Sequence, residues 1–291
     1  MSGADVSFVH LGISIPHMVK SFSIGGISFA YYGLIIGIGM ILGLCVAQSD
    51  AKRRGQDPDI YLDFALYGII FSIIGARIYY VFFQWAYYKD HLMEIVNLRK
   101  GGLAIYGGVI AGILTLLVFT KKRHLSFLSM ADSACLGLVT GQMIGRWGNF
   151  VNCEAFGRYT DCLFAMRHKR SIENECKISQ NHLDNLILDS GIEYIQVHPT
   201  FLYESLWNFG LLMFMLWFRK RKTFTGEMLC IYLAGYGIGR AWIEGLRTDS
   251  LLIPGTQIAV SQALSVVLAT VSLVILIYNR RKAFVQRKEA N

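Results

Sequence analysis

The densest chemistry in the chain lies in one run, Gly145-Arg146-Trp147-Gly148-Asn149-Phe150-Val151-Asn152-Cys153-Glu154-Ala155-Phe156-Gly157. It presents a guanidinium, two carboxamides and a carboxylate in quick succession. Glycine and asparagine disfavour continued helix and favour turns with side-chain hydrogen bonding. The run therefore reads as a polar loop that closes a glycine-rich helix, with Trp147 suited to the level of lipid head groups. A second constellation is Tyr236, Arg240 and Glu244, spaced i, i+4, i+8 on one helix face and extended by Arg247. The planar fork of arginine suits bidentate binding of phosphate oxygens, and a carboxylate beside it would hold it in place. A purely structural Arg–Glu pair is the competing reading. The third is Gly101-Gly102-Leu103-Ala104-Ile105-Tyr106-Gly107-Gly108, where paired glycines flank a tyrosine. Backbone freedom there permits close approach to a ligand, and equally a simple helix start.

The elements that must position these groups are membrane spans. Of 291 residues 54% are hydrophobic and only 16% charged, with a mean hydropathy of +0.42. The polar residues fall in short clusters between apolar runs of about 20 residues, the length that crosses a hydrocarbon core. Seven helical spans are expected, roughly 27–49, 61–83, 103–120, 127–146, 200–218, 226–244 and 258–278. Basic blocks follow every second one: Lys52 to Arg54, Lys121 to Arg123, Arg219 to Lys222, and Arg280 to Lys282. The positive-inside rule then places the N-terminus outside and the C-terminus in the cytoplasm. Arg99 and Lys100 lie on the opposite side and make the bias less than absolute. Residues 1–23 lack a charged start and a continuous apolar core, so the first span is expected to remain in the mature chain.

The expected fold class is thus an all-α polytopic membrane protein of one domain, 1–291, with residues 149–198 inserted as a small extracytoplasmic cap. Small residues four apart (Gly33 and Gly37, Gly39 and Gly43, Gly108 and Gly112, Gly137, Gly141 and Gly145, Gly235 and Gly239) read as close helix contacts. Arg77, Asp132, Glu204, Arg240 and Glu244 lie inside spans, where a charge is costly and marks function by default. Net charge is +8, but it sits at span ends, which argues for topology rather than nucleic-acid binding. Cys45, Cys135 and Cys230 fall in apolar runs; Cys153, Cys162 and Cys176 share the cap, where a disulfide is possible and its pairing open. No cysteine or histidine spacing fits a zinc site.

At these residues the chain closely resembles the prolipoprotein diacylglyceryl transferases of bacteria. The family signature G-R-x-G-N-F-x-N-x-E-x-x-G is matched without a gap from Gly145 to Gly157. Tyr32-Gly33, Gly75-Ala76-Arg77, His198-Pro199-Thr200 with Tyr203-Glu204, and Gly235-Tyr236-Gly237 leading to Arg240 and Glu244 also match. The resemblance implies transfer of the diacylglyceryl group of phosphatidylglycerol to the lipobox cysteine thiol of a preprolipoprotein signal peptide. A thioether forms and glycerol phosphate leaves. It further implies a bacterial cytoplasmic membrane location, membrane lipids as surroundings, and no metal or cofactor.

On this reading Arg146 and Arg240 bind phosphate and Glu244 orients Arg240. Asn149, Asn152, Glu154 and Gly157 shape the head-group site, Tyr32 and Tyr236 hydrogen-bond the glycerol, and Arg77 adds positive charge. A thiol nucleophile calls for a general base. Many family members carry histidine where this chain has Tyr106, and often glutamine where it has Phe201. Either an arginine activates Tyr106, or Tyr106 only positions substrate and the base is Glu154 or Glu244. A transporter fits buried charge as well, but no inverted repeat is visible. A non-catalytic phospholipid-binding protein is the remaining alternative.

Overall fold

The computed structural model describes residues 4–98, 101–170 and 178–289. Arg99, Lys100 and Cys176, all weighed above, lie outside the described residues. The chain divides into two compact units, one formed by Met1–Gly43 with Cys135–Asn291 and the other by Leu44–Ala134.

The larger unit begins with short strands, β1 (Val6–Phe8), β2 (Ile13–Ile15), β3 (Ser21–Ile24) and β4 (Ile27–Ala30). Helix α1 (Tyr31–Arg53) follows and crosses from the larger unit into the smaller one after Gly43. In the smaller unit come α2 (Asp59–Phe83), the one-turn α3 (Trp85–Tyr88) and α4 (Ile105–Lys122). Helix α5 (Phe127–Val151) leads to β5 (Met166–Lys169), the short α6 (Gln180–Leu183), β6 (Ile187–Asp189) and β7 (Ile192–Val197). The chain closes with α7 (Thr200–Phe218), α8 (Glu227–Glu244) and α9 (Val260–Glu289).

Six of these helices are long and apolar enough to cross a membrane: α1, α2, α4, α5, α7 and α9. Helix α8 matches the sixth expected span in position but carries Glu227, Arg240 and Glu244 within 18 residues. Its polarity is that of a helix packed among others. Only 17% of the apolar window of α9 is buried, against 39% for α7, so α9 turns most of its surface outward. In lipid such exposed leucine and valine carry no penalty.

The all-α expectation is corrected by the strands. Val6-Ser7-Phe8, Ile13-Ser14-Ile15 and Met166-Arg167-His168-Lys169 alternate with the period of a sheet. They form an antiparallel sheet in the order β2-β1-β5-β7-β6, while β3 and β4 make a separate hairpin. Strands from the N-terminal residues thus share one sheet with strands from within 149–198. Val6, Phe8, Cys153, Phe156, Met166, Ile195, Val197 and Phe201 pack as its core. Because residues 27–30 belong to a strand, the first span starts at Tyr31 instead of 27. Cys162 is a free thiol.

Glycines set the helix contacts. A Cβ on Gly43 of α1 would lie 2.5 Å from the Gly137 carbonyl oxygen of α5, and one on Gly75 of α2 would lie 2.8 Å from that of Gly107 on α4. Backbones this close admit no side chain. A Cβ on Gly33 or Gly37 would meet nothing within 4 Å, so close packing does not account for that pair.

Candidate functional site

Helix α5 does not stop at Arg146 as expected but runs to Val151, through Gly148 and Asn149. The reason is packing: the Tyr32 ring of α1 lies against Gly148, where a Cβ would come within 2.8 Å of it. The turn comes later, at Cys153 (φ 51°) and Ala155 (φ 59°) on either side of Glu154. Left-handed backbone at these non-glycine residues is strained. It is held by the Thr200 hydroxyl donating to the Ala155 carbonyl and by Gly157 N–H donating to His198 O at 3.0 Å. A side chain at Gly157 would lie 2.8 Å from His198 Cβ and 2.9 Å from Leu246 O. The glycine that ends the signature is thus dictated by three segments meeting there.

Three helices then contribute one ionic chain. Arg146 Nη2 on α5 lies 2.6 Å from Glu204 Oε1 on α7. Arg240 Nη1 on α8 lies 3.0 Å from Glu204 Oε2, and its Nη2 lies 2.5 Å from Glu244 Oε2. The two carboxylates are buried, while the arginine side chains keep 20% and 15% of their surface open. This asymmetry leaves guanidinium edges, not carboxylates, facing whatever enters. Tyr236 places its hydroxyl 3.5 Å from Glu204 Oε1. Glu244 Oε1 accepts from the Ser250 and Ser261 hydroxyls at 2.7 and 2.6 Å.

The structure thus gathers Arg146, Tyr236, Arg240 and Glu244, and Asn149 joins the same signature through Nδ2–H to Glu154 Oε1 at 2.9 Å. Asn152, half-buried, donates its backbone N–H to Gly148 O. Trp147 Nε1 donates to Ser205 Oγ at 3.1 Å. Arg247 leaves the expected stripe, because α8 ends at Glu244; it turns to Asp249, at 2.9 and 2.8 Å. Glu204 was visible in the sequence as a charge in a span and as part of a stretch that matches the family, with no role attached. Its role as the shared carboxylate, and those of Ser250 and Ser261, carry no spacing signal.

Arg77 and Tyr106 belong to the smaller unit. Arg77 is buried on α2 and donates to the carbonyls of Glu94, Ile95, Gly101 and Gly102 at 2.6–2.8 Å, with Asn97 O at 3.4 Å. Its guanidinium also lies over the Tyr88 ring, 5.2 Å from the centroid. It organises the segment between α3 and α4. Tyr106 sits half-buried on the first turn of α4, next to the Gly107 that meets Gly75.

Above the ionic chain, His198 Nδ1 and Cys162 Sγ both meet the Tyr203 hydroxyl, at 3.2 and 3.4 Å. Burial pushes the Cys162 thiol up, but hydrogen bonds from Tyr203 and Thr160 outweigh it and hold the thiol below its ordinary range.

Apolar helices of membrane-crossing length, with arginines and carboxylates paired among α5, α7 and α8, define a multi-pass membrane protein with an internal polar site. The family model for prolipoprotein diacylglyceryl transferase matches residues 20–278, and the chain belongs to that family. It is 39% identical to a phosphatidylglycerol–prolipoprotein diacylglyceryl transferase of Bacillus velezensis, over 93% of this chain and 95% of the relative. It is 41% identical to the protein of that name in Geobacillus kaustophilus (91% and 93% covered) and 42% identical to that of Clostridioides difficile (82% and 87%).

Proposed function

We propose that this protein transfers the diacylglyceryl group of phosphatidylglycerol to the lipobox cysteine of preprolipoproteins, the first step of lipoprotein maturation. The observation that carries the reading is the Arg146–Glu204–Arg240 chain at the signature helix. Fixed guanidinium groups in a low-dielectric site stabilise the charge that develops on a departing phosphate. The cysteine sulfur forms a bond to the glycerol carbon, the carbon–oxygen bond to phosphate breaks, and glycerol phosphate leaves with the electron pair. Both arginines approach a shared carboxylate, so they are preorganised before substrate arrives.

Glu244 Oε1 accepts from two serine hydroxyls, and its Oε2 is ion-paired with Arg240. That pairing supports an orienting role and leaves Tyr106 or Glu154 to take the thiol proton. Arg77, with its donors on backbone carbonyls, supports a scaffolding role in place of the substrate contact expected from sequence. Seven spans, with α8 as the sixth, an outside N-terminus, a cytoplasmic C-terminus and a bacterial cytoplasmic membrane location complete the proposal. An outward site would meet the secreted substrate after it has crossed the bilayer. The test is transfer of labelled diacylglyceryl to a lipobox peptide by purified protein. Labelling that disappears with a Cys→Ser peptide, with release of glycerol phosphate, supports the reaction; no labelling by folded protein that still binds the lipid overturns it.

A further inference from the structure

Immediately inward of the ionic chain, the same three helices carry a second set of polar groups. Gln142 lies four residues before Arg146 on α5, and Asn208 lies four after Glu204 on α7, each one turn of about 5.4 Å along its helix. On α8, Tyr232 and Tyr236 stack with centroids 5.7 Å apart below Arg240. Gln142 Nε2 donates to the Tyr232 hydroxyl at 2.9 Å, and Ser205 Oγ donates to Met143 O at 2.9 Å, tying α5 to both neighbours at this depth. Asn208 is 0% exposed. Neither its Oδ1 nor its Nδ2, nor Gln142 Oε1, has a hydrogen-bond partner among the described residues.

An unpaired carboxamide at membrane depth is costly, since lipid tails offer it nothing; a leucine of similar size would pack there without penalty. The open atoms are two carbonyl oxygens and one amide nitrogen, whose two N–H groups are donors. An anion would face two carbonyl dipoles of the wrong sign. An ammonium would leave the N–H unmatched, and an ester carbonyl would pair the N–H alone. A hydroxyl both donates and accepts, and so fits a mixed set. Exchanging the oxygen and nitrogen of either amide leaves the set mixed.

We propose that Gln142, Asn208 and Tyr232 form a hydroxyl-binding subsite below the arginine–glutamate chain, filled by a head-group hydroxyl of phosphatidylglycerol or by ordered water, and needed for full transfer. The proposal rests on phosphatidylglycerol being the substrate. A site built to bond a hydroxyl rejects the analogue that lacks it far more strongly than an apolar pocket does.

The test compares wild type, Asn208→Leu, Asn208→Gln and Gln142→Met on phosphatidylglycerol and on phosphatidylpropanol, whose head group has no hydroxyl. If the lipid supplies the hydroxyl, wild type prefers phosphatidylglycerol by at least about tenfold in kcat/KM, and Asn208→Leu abolishes the preference. If water supplies it, wild type treats the lipids alike, Asn208→Leu and Gln142→Met slow both by about tenfold, and Asn208→Gln recovers activity. Wild-type rates on both lipids in Asn208→Leu and Gln142→Met overturn the subsite. Should Asn208→Leu not accumulate, Gln142→Met, at a half-buried position, decides alone. Should wild type transfer nothing, the reaction has failed and not the subsite. The thermal shift on adding each lipid then reads the same comparison without turnover, and equal shifts in wild type and Gln142→Met overturn it.

Discussion

Arg146 and Glu204 lie 2.6 Å apart, and Glu204 turns its second oxygen to Arg240 at 3.0 Å. One buried carboxylate therefore sets the spacing of two guanidinium groups from different helices. Removing one partner of a buried ion pair costs about 3–5 kcal/mol, because the other is left uncompensated. Glu204→Gln should keep the protein inserted yet lower its melting temperature in detergent and cut transfer by at least about tenfold. Unchanged melting and turnover would remove Glu204 from the site.

Arg240→Ala should abolish transfer, and Arg240→Lys should recover little, because an ammonium cannot reach Glu204 and Glu244 with a planar fork. The loss should appear in kcat with bound lipid retained. Normal turnover by well-expressed Arg240→Ala would end the phosphate assignment.

For the proton acceptor, Tyr106→Phe is the informative change. With Tyr106 in the chemistry, loss of its hydroxyl lowers transfer by about 10²–10⁴-fold, the usual worth of a general base, and Tyr106→His retains activity. Full activity in Tyr106→Phe moves the assignment to Glu154.

The cap should loosen in acid. Burial, aided by Lys20 and His182, pushes His168 down to about 3, and burial also lowers His182 and His198. Unfolded histidine takes up its proton near 6.5. Between the two values the unfolded cap binds more protons, so stability falls as pH drops below about 6.5; His168 alone accounts for about 2 kcal/mol at pH 5. Proteolysis of the cap against pH measures this, and His168→Phe should flatten the profile. A profile unchanged by that substitution would refute the His168 contribution.

Arg77→Ala should free Glu94, Ile95, Gly101 and Gly102, whose carbonyls its guanidinium collects. Faster protease cleavage there, with the remainder of the chain intact, is the expected result. Equal cleavage rates would show that the segment holds itself.

Much of this was legible from residue order because membranes impose simple rules. Hydrocarbon thickness marks the spans at 61–83 and 200–218 almost to the residue. The cost of charge in lipid singles out Arg240 and Glu244, and helical spacing alone brings them together. The gapless run from Gly145 to Gly157 identifies the family. Local rules failed where distant segments decide. Gly148 stays helical with the Tyr32 ring packed against it. The N-terminal strands become a sheet only by pairing Val6–Phe8 with Met166–His168, a partner that no local pattern announces. Which carboxylate unites Arg146 with Arg240 depends on three helices converging, and hydrogen bonds across such distances leave no periodicity in the chain. Composition and spacing determined that this is a membrane protein with charged groups inside its spans; tertiary packing alone made Glu204 the carboxylate that Arg146 and Arg240 share.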